Sequence, residues 1–336
     1  MVFRALVVLV AVISGTSSVA GVIGVDNRRE ITVKNASPVG AVGFLRKQTT
    51  GGYGPGSYAT CSGALVDKNI LLVAAHCIYE KVYDGPDVIR PLNKFKWYRD
   101  LQRNDFYEFL GFPTTDLSQN RQPYPGYYWA DITEIVAMGD YDGCREGPRN
   151  IKCVKNDWVL LRLNAEYHED WVVRVWPYEA SKHLRVQPKR RADNGLMYGK
   201  FYVAGYPEDL SFEERVGEGY GRNVGIHPFM MDHQCMIMDV KNGTMAHNCD
   251  IAAGMSGSPM LFSYEEPGVE VRPLGMVGIS TFGVPDCPEY SEEKKCLNGG
   301  IISQNFIPAI IKHVDPIYTE HLRDRYSEFE LRLMQK

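Results

Sequence analysis

Residues 250–259 read Asp-Ile-Ala-Ala-Gly-Met-Ser-Gly-Ser-Pro, and this stretch decides how the rest of the chain is interpreted. Ser256 lies between two glycines, so little side-chain bulk surrounds its hydroxyl on the expected turn. A serine hydroxyl is a weak nucleophile near neutral pH unless a general base activates it and a third group orients that base. The stretch therefore predicts a base and a carboxylate elsewhere in the chain.

Both partners have candidates. His76 follows the apolar run Leu-Leu-Val-Ala-Ala at positions 71–75, and Asp157 begins the run Asp-Trp-Val-Leu-Leu. A lone histidine at the end of a buried strand is more often a core residue, so the prediction depends on the combination of all three residues. The order histidine, aspartate, serine along the chain is one of three orders that are known for catalytic triads on unrelated folds.

In these motifs the sequence resembles the chymotrypsin-like (trypsin-like) serine proteases, within them the glutamyl endopeptidase branch that carries Gly-x-Ser-Gly-Ser-Pro. The Val-Ile-Gly-Val-Asp-Asn-Arg segment at 22–28 and Val-Ala-Gly-Tyr-Pro at 203–207 are similar to segments of that branch. The resemblance covers nearly all of residues 22–314. It implies an all-β fold of two six-stranded antiparallel β-barrels with a C-terminal helix, and a secreted serine endopeptidase.

The resemblance assigns a role to each motif residue. Ser256 is the expected nucleophile, His76 the base that takes its proton, and Asp157 the group that holds the imidazole tautomer. The N–H groups of Gly254 and Ser256 are the expected oxyanion hole. Met255 replaces the carboxylate that pairs with the freed amino terminus in trypsin, so the activation salt bridge of trypsin cannot form here.

Residues Thr281, Phe282 and Gly283 match the family strand that pairs with the substrate backbone, and the Thr281 hydroxyl could also donate to the triad aspartate. Glutamyl endopeptidases use a histidine at this threonine position to bind glutamate, so glutamate preference is not carried over. Asp250 lies six residues before Ser256, where trypsin keeps the aspartate that binds Arg or Lys. Two interpretations stay open: Asp250 binds a basic substrate side chain, or it caps local backbone amides.

The composition of the chain argues against several other classes of protein. The chain has 336 residues, of which 44% are hydrophobic and 23% charged, which argues against disorder and against a membrane-embedded body. The formal net charge of −4 gives no general attraction to nucleic acid or to anionic lipid. No zinc-binding helix motif, Cys-x-x-Cys pair or phosphate-binding glycine loop occurs, so neither a metal nor another cofactor is expected. The expected partners are protein or peptide substrates and a protein inhibitor.

The first twenty residues predict a signal peptide. Arg4 precedes an apolar run at 5–13, and Ser-Val-Ala at 18–20 supplies small residues before a cleavage site. The apolar run is too short for a membrane-spanning helix, which needs about 20 residues. Secretion is therefore expected.

Eight cysteines predict four disulfides in an oxidising compartment. Sequence alone leaves the connectivity open. Pairing of sequence neighbours is the preferred interpretation, and the resemblance supports the first pair because the family has a disulfide beside its catalytic histidine. The four expected pairs are Cys61 with Cys77, Cys144 with Cys153, Cys235 with Cys249, and Cys287 with Cys296. Asn35 and Asn242 begin glycosylation triplets.

Short β-rich runs between Gly, Pro and Asn give the expected domain boundaries. The first barrel is predicted at about 22–163, the second at about 196–305, and a helical extension at 315–336. A first helix is expected at 306–314. Leu322, Tyr326, Phe329 and Leu333 then form the predicted apolar face of a second helix. His233 and His247 are expected to be polar loop residues.

Two other functions remain open at this stage. A catalytically silent protease homologue would bind a protein partner through the aromatic-rich segment 79–129, although decorated surface loops are the preferred explanation of that segment. A hydrolase that acts on esters alone is the other alternative, because the same triad geometry also cleaves activated esters.

Overall fold

The computed structural model describes residues 28–30, 42–48, 58–80, 88–99, 129–141, 154–178, 198–207, 230–232, 237–265, 272–282, 297–324 and 326. The following predictions lie outside the described residues: the signal peptide, Asn35, Gly283, His233, Phe329, Leu333, and Cys144, Cys153, Cys235, Cys287 and Cys296.

The described residues are mainly strands. In chain order these are β1 (Arg28–Glu30), β2 (Val42–Gln48), β3 (Tyr58–Asp67), β4 (Ile70–Val73), β5 (Tyr79–Glu80), β6 (Val88–Ile89), β7 (Phe95–Arg99), β8 (Trp129–Met138), β9 (Val159–Leu163), β10 (Tyr198–Gly205), β11 (Met230–Asp232), β12 (Ile237–Lys241), β13 (Thr244–His247), β14 (Pro259–Glu265), β15 (Arg272–Phe282) and β16 (Asn298–Ile302).

Six of these strands form a closed barrel in the order β2-β3-β4-β9-β8-β7. Its neighbours are antiparallel throughout. The β4 strand reads Ile-Leu-Leu-Val with all four residues buried, as an uninterrupted apolar run between two paired neighbours predicts. Phe95 and Trp97 of β7 are 0% exposed and fill the same core. The first predicted barrel is therefore confirmed.

The second unit is an antiparallel sheet with the order β1-β11-β10-β14-β15-β16-β13-β12. Only residues 233–236 separate β11 from β12, although these strands stand near opposite ends of that order. An extended chain advances at most about 3.6 Å per residue, so the two ends lie within about 18 Å of each other. The sheet must therefore curl. If β1 is set aside as an added edge strand and β11 and β12 are counted together, six strands make the barrel-like unit that the sequence predicts.

The N-terminal strand corrects one expected boundary. The first barrel was expected to begin near residue 22, but β1 pairs with β11 of the second unit, with Arg28 opposite Asp232. This pairing is made by backbone groups at the edge of the sheet, which any sequence can supply. A side-chain pattern therefore carries little information about it.

Two described helices follow β16, namely α1 (Ile307–His313) and α2 (Pro316–Arg323). Asp315 separates them and caps the second, since its Oδ1 atom accepts the N–H of Ile317 at 2.9 Å. Leu322 of the predicted apolar face is 0% exposed. Within the described residues, no helix has the length and apolar character that crossing a membrane would require.

Candidate active site

His76 emerges where a buried strand ends. β4 leads into a short 3₁₀ turn at Ala75–Cys77, in which Ala75 and Cys77 are buried. Cys77 is disulfide-bonded to Cys61 of β3, as predicted. The imidazole between these two anchored neighbours keeps 27% of its surface exposed. A fixed backbone therefore presents a side chain that solvent or a ligand can reach.

Asp157 meets this histidine through both carboxylate oxygens. Its Oδ2 atom lies 2.7 Å from His76 Nδ1, and its Oδ1 atom accepts the backbone N–H of His76 at 2.8 Å. Asp157 immediately precedes Trp158 and β9 and is only 4% exposed. An ionised carboxylate can only accept hydrogen bonds, so the imidazole proton lies on Nδ1 and Nε2 is the basic nitrogen.

The loop of Ser256 reaches the same place from the second unit. The carbonyl oxygen of Ser256 accepts the backbone N–H of Ser62 in β3 at 2.8 Å. The same oxygen lies 3.9 Å from Sγ of Cys77, the residue that follows His76. The structure thus brings Asp157 into direct contact with His76, and brings the Ser256 backbone beside the residue next to that histidine.

Three backbone N–H groups of the loop donate hydrogen bonds, two of them across turns within the loop and one to Ser280 of β15. The N–H of Met255 donates to Ala252, that of Gly257 to Ser280, and that of Ser258 back to Met255, at 3.0, 2.6 and 2.9 Å.

Five amides of the loop, those of residues 251–254 and 256, have no acceptor among the described residues. They include the N–H groups of Gly254 and Ser256, the two amides that the sequence assigns to an oxyanion hole. Gly254 has φ +87°, a left-handed value that glycine adopts without a Cβ penalty. The availability of both amides is the property that such a site requires.

The expected substrate strand ends beside the loop. Thr281 is 1% exposed, and Phe282 is the last residue of β15. The Thr281 hydroxyl has no hydrogen-bond partner among the described residues, so the expected bond to Asp157 is not formed. The pairing of β15 with β16 is irregular between Ser280 and Phe282. Such an irregularity redirects side chains locally, so the strand position of Thr281 did not determine where its hydroxyl points.

Asp250 is 1% exposed and lies beside a second buried carboxylate. Its backbone N–H donates to Oδ2 of Asp232, at the end of β11, at 2.7 Å. Asp232 is also 1% exposed. The Asp250 amide is therefore capped by a carboxylate of another strand, and both roles suggested for the carboxylate of Asp250 itself stay predictions.

His247 is not the polar loop residue that the sequence predicted. It is the last residue of β13 and is 0% exposed. Its Nδ1 atom accepts the N–H of Cys249 at 3.3 Å, whereas Nε2 has no partner among the residues that are described. Burial lowers the pKa of His247 to about 3, so the imidazole is neutral at pH 7. The strand was missed because Thr-Met-Ala-His has no clear apolar alternation.

Two further predictions concern the disulfide of Cys249 and the glycosylation of Asn242. Cys249 is disulfide-bonded, and its partner lies outside the described residues because Cys61 and Cys77 pair with each other. Cys235 stays the predicted partner. Asn242 is exposed at the turn between β12 and β13, with φ 54°, and its glycosylation stays a prediction.

One grouping of potential metal ligands lies at the site. Ligand atoms of Cys61, His76 and Cys77 all lie within 4.8 Å of one another. Zinc and similar metals bind cysteine as a free thiolate. Both sulfurs are used in the disulfide, so this grouping does not constitute a metal centre.

Solved structures with a similar fold include a protease and an inactivated protease paralogue. No family model and no curated protein matches the sequence. A solved structure of a Glu endopeptidase in complex with MPD is similar over 84% of this chain and 93% of its own, with 16% identity and a TM-score of 0.44. A scabies mite inactivated protease paralogue is similar over 85% and 99%, with 14% identity and a TM-score of 0.45. At these identities the likeness shows the fold alone.

Proposed function

We propose that the chain is a secreted serine endopeptidase that cleaves peptide bonds through an acyl-enzyme on Ser256. The observation that carries this proposal is the two-point contact between Asp157 and His76, at 2.7 and 2.8 Å, beside the loop of Ser256. A carboxylate that fixes the tautomer of a partly exposed imidazole is the arrangement that base catalysis by histidine needs. The disulfide between Cys61 and Cys77 supports an oxidising compartment.

In the proposed reaction, Ser256 Oγ attacks the scissile carbonyl carbon while His76 Nε2 takes the hydroxyl proton. Asp157 stabilises the imidazolium that forms, and the N–H groups of Gly254 and Ser256 bind the negative oxygen of the tetrahedral intermediate. The intermediate collapses, the C–N bond breaks, and Nε2 gives its proton to the leaving amine. A water molecule then attacks the acyl group by the same steps and frees the serine.

The loop of Ser256 has an internal anchor in place of an activation salt bridge. Met255 is 0% exposed and belongs to the apolar core of the second unit, with Phe201 and Val277. Burying such a side chain contributes about 1.5–3 kcal/mol. We therefore propose that the loop takes its shape during folding, without a freed amino terminus that enters the protein.

Substrate recognition is proposed at two places. The end of β15, at Thr281 and Phe282 and continuing to Gly283, would pair with the substrate backbone. The Asp250 carboxylate would form an ion pair with a basic side chain of the substrate. Alternatively, it would only cap local backbone amides. Cleavage after Arg or Lys that is lost in Asp250→Ala would support the first role of Asp250. Cleavage after small or apolar residues would contradict it.

The proposed function is tested by reaction with a fluorophosphonate probe and by digestion of a peptide library. The wild-type protein should be labelled and should cut peptides, whereas Ser256→Ala should do neither. Ser303→Ala is a suitable control, because Ser303 is buried and lies in a turn after β16. A folded wild-type protein that does not label or cut would contradict the proposal and favour the silent, partner-binding homologue. Labelling without peptide cleavage would favour the esterase.

A further inference from the structure

The hydroxyl of Ser62 is a buried group that the catalytic steps above do not use. Ser62 lies in β3 and is 0% exposed. Its Oγ atom lies 2.9 Å from the carbonyl oxygen of Gly254, and it accepts the backbone N–H of Tyr206 at 2.8 Å. A carbonyl oxygen can only accept, so the Ser62 proton points at Gly254 and an oxygen lone pair faces Tyr206. Both partners therefore fix the orientation of this hydroxyl.

The backbone of the same residue holds a second point of the loop. The Ser62 N–H donates to the carbonyl of Ser256 at 2.8 Å. Ser62 thus holds the peptide unit that follows Gly254 and the peptide unit that follows Ser256. The unit between these two carries the N–H of Ser256. Because both neighbouring units are anchored to β3, the direction of that N–H is restricted.

Ser62 also connects this loop to the base. The preceding residue, Cys61, is bonded to Cys77, which follows His76. Two consecutive residues of β3 therefore anchor the turn that carries His76 and the loop that carries Ser256. The spacing between base and nucleophile depends on one short piece of a rigid strand.

The space around the hydroxyl is closed. A Cβ on Gly205, the residue before Tyr206, would lie 2.7 Å from Ser62 Oγ and would collide with the hydroxyl of Ser258. Glycine at position 205 allows strand β10 to approach β3 closely.

We infer that Ser62 is a positioning residue, whose hydroxyl holds the loop so that the Gly254 and Ser256 amides point at the developing oxyanion. The inference rests on the proposed function for its kinetic consequence. Ser62 does not touch the substrate in this role. It acts through the Gly254 carbonyl, which belongs to the peptide unit next to the one that carries the Gly254 N–H.

The kinetic test compares Ser62→Ala and Ser62→Gly with wild type on one peptide substrate. Oxyanion contacts strengthen in the transition state, so their loss lowers kcat more than it changes KM. Misplacement of this kind is expected to lower kcat about 10- to 100-fold, with KM within about threefold of wild type. Two variants are used because alanine removes only the hydroxyl, whereas glycine also removes Cβ, so a loss of kcat that both share is attributable to the hydroxyl.

Ser303→Ala is the matched control. Ser303 is 0% exposed, and its hydroxyl also bridges a carbonyl and an amide: it donates to Trp176 at 2.6 Å and accepts from Tyr178 at 3.0 Å. The chemical loss is the same, but this bridge does not contact the loop of Ser256. Ser303→Ala should lower the melting temperature to a similar extent and leave kcat unchanged.

Amide hydrogen exchange of peptides that cover 252–258 provides a readout that does not need activity. Faster exchange in this segment is expected in Ser62→Ala and not in Ser303→Ala. Unchanged exchange together with unchanged kcat would overturn the inference. Faster exchange in a protein whose wild type does not react with a fluorophosphonate would support the role of Ser62 and contradict the proposed function instead.

Discussion

At the scale of single residues, the histidine pair depends on the fact that a carboxylate cannot donate. In Asp157→Asn the amide would donate to His76 Nδ1, which would move the ring proton to Nε2 and remove the base. We expect kcat to fall by about 10⁴-fold while the protein stays folded. The measurement is peptide hydrolysis at pH 8 together with the melting temperature.

The control for this variant is Asp239→Asn, on an exposed position of β12. It removes the same charge from the protein and should leave kcat unchanged. A fall of less than tenfold in Asp157→Asn would contradict the role of Asp157 in holding the tautomer.

At the scale of elements, the loop of Ser256 depends on glycine at position 257. Gly257 has φ +83°, and a Cβ there would collide with the carbonyl oxygen of Ser62. Because backbone cannot move as a flexible side chain can, Gly257→Ala should displace the loop and lower kcat at least 100-fold, beyond its loss of about 1–2 kcal/mol in stability. Peptide hydrolysis and chemical denaturation check both effects.

Gly243→Ala is the corresponding control. Gly243 has φ +80° in the turn between β12 and β13, and its nearest clash is the side chain of Asn305. It should lose a similar stability without loss of kcat. Equal effects of the two variants on kcat would show that the Gly257 position has no special relation to the site.

The disulfide is the second element whose removal should affect the site. Cys61 and Cys77 close a segment of 16 residues, so replacing both with alanine should destabilise the protein by about 3 kcal/mol. The turn that carries His76 would lose its anchor, and kcat should fall as well. Denaturation and hydrolysis by the double variant measure the two effects. Wild-type activity after loss of this bond would contradict the anchoring role.

At the scale of the whole molecule, His247 links folding to pH. Burial lowers its pKa from about 6.5 to about 3, so between these pH values the unfolded chain binds more protons than the folded one. Stability is then complete above about pH 6.5 and is lost progressively as pH falls toward 3. The loss is on the order of 1 kcal/mol per pH unit.

Urea denaturation at several pH values between 4 and 7 measures this slope. His247→Asn is the comparison, since its side-chain oxygen can still accept from Cys249 but does not titrate. The slope should become smaller in the variant. Identical slopes in the two proteins would assign the acid sensitivity to other groups.

Much of the architecture could be predicted from the sequence because it depends on patterns of neighbouring residues. Buried apolar runs such as Ile70–Val73 predicted their strands, and Asp315 with Pro316 marked the break between the two helices. The motif residues that carry the resemblance predicted His76 and its disulfide neighbour. These features depend on residues close together in the chain.

The features that could not be predicted depend on distant pairings. The hydrogen bond from Ser62 to Gly254 joins residues that are 192 positions apart. The local sequence Cys-Ser-Gly does not indicate that the serine hydroxyl contacts the second unit. The pairing of β1 with β11 could not be predicted either, because edge strands pair through their backbone groups. His247 was missed since its ring packs near Phe201 of β10, which is distant in the chain.

The division of the candidate triad has a consequence for protein engineering. His76 and Asp157 lie before residue 178, whereas Ser256 lies after residue 198. If the chain were divided between these positions, each fragment would carry an incomplete set of reacting groups. Turnover of a fluorogenic peptide would then report reassembly of the fragments, which makes the molecule a candidate scaffold for a split sensor.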